Sequence, residues 1–187
     1  MENMNRDQTL ASGFGGNNIE LPGYEVFFNG LLDITRGKKV DETLAGKIQG
    51  YVSGFVQDNP FCAEHADPSG YQRSCLGRDP KSGWEVILMV WSKGNRTKIH
   101  GHPQFAGYTF AGGDFQLEVF SQHETEGLTL AQSVEINSLS GFHSIGEADA
   151  FDNHIHRITC LSDRGYSLHV YSDNALKGYK YEDPAKA

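Results

Sequence analysis

The chain has 187 residues, enough for one well-buried domain that covers roughly 70% of its unfolded surface on folding, and too few for a second full domain. Its 38% hydrophobic and 11% aromatic content excludes a disordered chain, and 22 Gly with 6 Pro suit a turn-rich all-β fold better than a helical bundle. A formal charge of −8 argues against a broad nucleic-acid or anionic-membrane surface, while leaving room for a small basic pocket.

Cys62, Cys75 and Cys160 form an odd set without CxxC spacing, which disfavours a disulfide framework or a thiolate zinc site. All three are assigned to packing. No apolar run reaches signal-peptide or membrane-spanning length, so a cytoplasmic protein with no membrane partner is expected. A monomer or small homo-oligomer with no nucleic-acid partner is the accompanying expectation, although these facts do not set the oligomeric state.

In chain order, residues 1–20 read as a flexible, glycine-rich arm, 21–176 as a single domain, and 177–187 as a polar tail that Tyr179 and Tyr181 can partly anchor. Within the domain, 21–60 carry two helices. The first contains Phe27, Leu31, Leu32 and Ile34 and stops at Gly37; the second is capped by Asp41 and ends at Asn59-Pro60. Leu44, Ile48, Val52 and Phe55 recur at three- and four-residue steps, giving the second helix one apolar stripe.

From about 71 to 172 the pattern becomes that of strands. Trp84–Trp91 is apolar enough to be buried on both faces. Gly112-Gly113 supplies a hairpin turn before the strand Phe115–Phe120. Further strands fit Leu128–Val134, His154–Thr159 and Tyr166–Tyr171, the last two joined by a turn at Asp163-Arg164-Gly165. Short antiparallel strands of this kind close into a sandwich or barrel.

Chemistry concentrates in the histidines. His100 and His102 are two apart, so in a strand they project into one cavity, and His154 and His156 repeat that spacing downstream. Three neutral imidazoles suit a mid-to-late first-row divalent metal and leave positions for substrate; they do not choose between iron, nickel, copper and zinc. Ser167, His169 and Tyr171 also sit at steps of two, so one strand face can carry hydrogen bonds from a serine through an imidazole to a phenol. Arg73 shares a strand face with Tyr71, and its planar guanidinium can hold a carboxylate through two parallel bonds. Arg78 and Arg96 read as solvated or paired with surface acids, and His65, His123 and His143 as surface, turn or core residues.

The run Gly94–His102, GNRTKIHGH, resembles the first signature of the cupin superfamily. Tyr71-Gln72-Arg73, His156-Arg157-Ile158 and Ser167–Ser172 sharpen that resemblance to the thiol dioxygenase branch, specifically the cysteine dioxygenase type I-like family. The likeness spans residues 24–172 and is strongest from Tyr71 onward. It implies an all-β cupin (RmlC-like) jelly-roll barrel with the N-terminal helices packed outside.

It further implies an Fe(II) cofactor held by His100, His102 and His156, a carboxylate-bearing small thiol gripped by Arg73 with Tyr71 beside it, and O2 as co-substrate. Tyr171, His169 and Ser167 would be the catalytic hydrogen-bonded set. The activity implied is oxidation of L-cysteine to cysteine sulfinic acid. Taking His154 as third ligand would restore the family's spacing to His169; taking His156 keeps the His-Arg-hydrophobic match. Gly107 falls where animal members carry a cysteine crosslinked to the tyrosine, so no crosslink is expected.

Alternatives stay open at this stage. They are dioxygenation of 3-mercaptopropionate or cysteamine, a cupin of different metal-dependent activity, and a non-catalytic small-molecule-binding cupin. The 3-mercaptopropionate branch usually lacks arginine at the position of Arg73.

Overall fold

The computed structural model describes residues 24–60, 70–123 and 127–184. The proposed arm, the Pro22-Gly23 helix start, Cys62, His65 and the last three residues of the tail lie outside them.

Helix α1 (Tyr24–Thr35) turns Phe27 and Leu31 inward, and α2 (Glu42–Asp58) buries Leu44, Ala45, Ile48, Val52 and Val56. The Asp41 side chain accepts the Leu44 amide at 2.8 Å, satisfying one of the free donors of the first turn of α2. The apolar stripe runs one residue past the expected end: Val56 is buried, while Phe55 is partly covered and stacks on Phe27 of α1.

Among the described residues ten strands follow: β1 (Gln72–Arg78), β2 (Glu85–Ser92), β3 (Ile99–His102), β4 (Phe105–Gly112), β5 (Phe115–His123), β6 (Gly127–Ile136), β7 (Gly141–Ile145), β8 (Asn153–Cys160), β9 (Arg164–Tyr171) and β10 (Lys180–Tyr181). They form two five-stranded sheets, β1-β2-β9-β4-β7 and β10-β3-β8-β5-β6, and every pairing is antiparallel. From β2 to β9 the chain alternates between the sheets, working from both ends toward the β5–β6 hairpin. That order is the jelly roll, and the molecule has the all-β cupin barrel with two helices packed outside it.

The winding corrects one local expectation. Gly112-Gly113 does turn the chain, with Gly113 at φ +83°, but β4 and β5 do not pair. The turn carries the chain from one sheet to the other, and an added Cβ at Gly113 would lie 2.5 Å from the Arg164 carbonyl oxygen of the neighbouring corner. Strands β4, β7 and β10 were not foreseen as strands. The described part of the proposed tail contributes a 3-10 turn at Ala175–Lys177 and then β10, which pairs with β3. Tyr181 packs against Ile99, Phe120 and Ile155; Tyr179 stays exposed.

Both faces of the first sheet are covered, which explains why the Trp84–Trp91 run lacks alternation. Trp84, Val86, Leu88 and Val90 face the helices together with Leu168 and Val170, whereas Ile87, Met89 and Trp91 face the barrel interior. Gln49 of α2 ties the layers by donating to Thr109 Oγ1 at 3.0 Å. Among the described residues, no helix is long and apolar enough to cross a membrane.

Candidate metal centre

Strands β3 and β8 lie side by side, with His100 opposite His156 and His102 opposite Asn153. This register brings His100, His102 and His156 together: one ring nitrogen from each lies within 4.8 Å of the other two. His102 and His156 are buried and His100 is half-buried. Burial holds all three below their ordinary basicity, furthest for His102 and His156, where mutual repulsion of the imidazolium forms adds to it. They are therefore neutral, as metal-binding imidazoles must be.

The Nδ1 partners settle which nitrogen faces inward. His100 Nδ1–H donates to the Lys98 carbonyl at 2.8 Å, and His102 Nδ1–H to the Asn153 carbonyl at 3.2 Å. His156 Nδ1 lies 3.0 Å from Nδ1 of His154. The lone pairs thus fall on Nε2, and Nε2 of both His102 and His156 is buried without a hydrogen-bond partner among the described residues. Two buried, unpartnered acceptors beside a third imidazole are the donor set that a divalent metal completes. The cluster can hold a metal ion, and the residues fit Fe(II) as well as other first-row metals.

His154 does not join this cluster. Its Nδ1 is spent on His156, with the Tyr108 hydroxyl 3.4 Å away on the same side. Burial lowers its pKa to about 4.

The cluster opens on a cavity of about 240 Å³, lined also by Tyr71, Arg73, Trp91, His169 and Tyr171. Strand β9 is the opposite wall. Ser167 Oγ is 2.7 Å from His169 Nε2, and His169 Nδ1 is 2.9 Å from the Tyr171 hydroxyl. Sequence reasoning missed the residue that sets the direction of this chain. The buried indole of Trp91 can only donate, and it donates to Ser167 Oγ at 3.0 Å. Among the described residues the Ser167 proton has one acceptor, His169 Nε2, so His169 carries its own proton on Nδ1 and donates to Tyr171. The Tyr171 O–H is left to point into the cavity. Burial raises the Tyr171 pKa far above the ordinary phenol value and lowers His169 to about 3, so both stay neutral over the physiological range.

Arg73 projects from β1 into the same cavity with its side chain only 7% exposed. Its one acceptor among the described residues is Glu85 Oε1, at 3.5 Å. Glu85 is a second residue that sequence reasoning missed. It is fully buried, accepts Arg78 Nε at 2.8 Å and Nη2 at 2.5 Å on Oε2, and takes the Ala175 amide at 2.7 Å on Oε1. Arg78 is therefore paired with a buried acid, contrary to the solvated or surface-paired role expected of it. Arg96 meets Asp183 on the surface as expected.

The geometry also bears on further expectations. Ala106, not Gly107, pairs with Tyr171 and packs on the same interior cluster. A Cβ on Gly107 would instead touch the Phe105 ring at 3.0 Å, in the helix-side layer. Ala106 has no sulfur, so no thioether to Tyr171 forms at this position. Arg157 forks onto Glu118 with bonds of 2.6 and 2.9 Å, pinning β8 to β5. Cys160 is buried and its thiol pushed up to about 11 by burial, but Cys75 stands exposed and is not a packing residue. His123 bonds Thr129 at the surface and His143 bonds Glu42 of α2, so both remain outside the site.

No family model matches the sequence, and no curated protein matches it. Solved structures are similar in shape. One is an RmlC-like cupin protein from Desulfovibrio desulfuricans, at 7% identity and TM-score 0.45, covering 60% of this chain and 92% of that one. Another is KdgF from Halomonas sp., at 14% and 0.43, covering 63% and 92%. A third is an uncharacterized conserved protein with a double-stranded β-helix domain from Klebsiella pneumoniae, at 12% and 0.44, covering 68% and 95%.

Proposed function

We propose that this protein is a cytoplasmic, Fe(II)-dependent thiol dioxygenase that oxidises L-cysteine with O2 to cysteine sulfinic acid. The observation that carries the reading is the placement of one nearly buried guanidinium, Arg73, on the wall of the cavity that holds the three-histidine cluster and the Tyr171 hydroxyl. The cavity is small, which suits a molecule the size of an amino acid.

The protein's residues divide the work. Arg73 binds the substrate carboxylate through parallel N–H donors, and Glu85 holds the guanidinium in place from behind. Tyr71, packed at a tilt against Trp91 with ring centroids 4.8 Å apart, walls the substrate side. His100, His102 and His156 would hold Fe(II), which supplies the redox chemistry that joins O2 to sulfur when bound. Tyr171, kept protonated by burial and oriented through His169 and Ser167, presents a fixed O–H to the substrate or to oxygen. The reaction balances without an outside reductant: both oxygen atoms end on sulfur, the S–H bond is replaced by sulfinic acid, and sulfur supplies the electrons that O2 takes up.

The test is oxygen uptake by iron-loaded protein across cysteine, 3-mercaptopropionate and cysteamine, with products identified by mass. Cysteine should consume one O2 per thiol and gain the mass of two oxygen atoms. Disulfide as the sole product, or turnover unchanged after iron is removed, would overturn the assignment.

A further inference from the structure

One feature of the site comes from neither a motif nor a ligand role. On β3, His100 and His102 are separated by one residue, while their partners on β8, His156 and Asn153, are separated by two. The extra residue makes a bulge, and His154 lies in it with φ +50°, a left-handed conformation that histidine rarely adopts. Strand pairing alone would not require a side chain there. The strained backbone brings His154 Nδ1 to 3.0 Å from Nδ1 of His156. Its ring is held between those of Phe142 and Tyr108, at centroid distances of 5.6 and 5.5 Å.

The proton between the two nitrogens can be placed. If His154 donated, His156 would carry its own proton on Nε2, a buried N–H with no acceptor in reach among the described residues. His156 therefore donates and His154 accepts, which frees Nε2 of His156 as a lone pair aimed at the cluster. His100 and His102 obtain the same tautomer from backbone carbonyls, whereas His156 relies on a side chain for it.

We infer that His154 is a positioning residue for the metal centre: from a strained bulge it fixes the tautomer and ring orientation of His156. This rests on the three-histidine cluster being a metal site. Partners of this kind typically change metal affinity by about ten- to a hundredfold.

The test uses the full chain, stripped of metal and titrated with Co(II) as a spectroscopic stand-in for Fe(II), comparing wild type with His154→Gly and His154→Asn. Both variants fit the bulge, because glycine and asparagine accept the left-handed region, and only asparagine retains an acceptor, its Oδ1. We expect His154→Gly to bind Co(II) about ten- to a hundredfold more weakly with a changed visible spectrum. His154→Asn should regain most of the lost affinity. The inference is overturned if His154→Gly matches wild type in affinity and spectrum, or if His154→Asn binds as weakly as His154→Gly. Failure of wild type itself to bind Co(II) is a different result, which sinks the metal site as well.

Discussion

Arg73 and Arg78 share one buried carboxylate unequally, and that inequality lets the proposed substrate contact be tested apart from stability. Arg78 makes the two short bonds to Glu85 Oε2, whereas Arg73 touches Oε1 only at 3.5 Å. Replacing Arg73 by Gln therefore leaves Glu85 paired, avoiding the penalty of a stranded buried charge. Its cost should appear in catalysis: losing a two-bond contact to a carboxylate removes about 3 kcal/mol, or a hundredfold or more in kcat/KM for cysteine. Turnover of cysteamine, which has no carboxylate, should change little. Steady-state kinetics on both thiols checks this, and parallel losses would show that Arg73 does not grip the acid group. The residues gathered at the cavity were legible where the two-residue strand period puts partners in sequence, as in His100 with His102, Ser167 with His169 and Tyr171, and Tyr71 with Arg73. Glu85 and Trp91 were hidden for the opposite reason. They sit inside an apolar run, and their partners, Arg78, Ala175 and Ser167, are brought to them by neighbouring strands and by the chain beyond β9.

Among the elements, β10 and the turn before it add to the cavity wall what the paired strands leave open. Ala175, Leu176, Gly178 and Lys180 all line the cavity, and β10 holds this segment against β3 next to His100. The contact is backbone on backbone. The Gly101 amide donates to the Tyr179 carbonyl at 2.9 Å, and a Cβ on Gly178 would sit 2.0 Å from the Gly101 oxygen. Gly178→Ala should therefore lift the segment, lowering stability by about 1–3 kcal/mol and speeding hydrogen exchange at the Tyr179 amide, which donates to Phe151. Unchanged urea unfolding and unchanged exchange would show that the segment tolerates a side chain there. This wall was poorly legible because a two-residue strand has no period to read, and its glycine matters only for what lies opposite. Strand β4 escaped for a related reason: Phe105–Gly112 is buried almost throughout between the helices and the barrel interior, so it shows no polar face. The helices, β2, β5, β8 and β9 declared themselves through caps, apolar steps and turns that are local in sequence.

At the scale of the whole molecule, the barrel keeps a polar, uncharged set of rings inside a shell stabilised elsewhere. The helix-side cluster around Phe27, Leu31, Ile48 and Trp84 shares no residue with the cavity, so the fold can absorb the cost of burying imidazoles. That cost becomes visible in acid. His169 is held to about 3 by burial and by the Arg73 charge, against 6.5 for an unhindered imidazole. Above pH 6.5 neither the folded nor the unfolded chain protonates it, so it contributes no pH dependence. Between 6.5 and about 3 the unfolded chain takes up the proton and the folded chain does not, so stability falls as pH falls, by about 1.4 kcal/mol per pH unit for each such histidine. His154, held to about 4 by burial, adds to the slope in the same direction. His169→Gln removes one titrating group while keeping an amide able to bond Ser167 and Tyr171. Urea unfolding of the metal-free protein between pH 6 and 4.5 should therefore show a gradient shallower by about 1.4 kcal/mol per unit in the variant than in wild type. Equal gradients would mean that His169 takes up its proton in the folded barrel, and that the Ser167–His169–Tyr171 chain does not keep its neutral form.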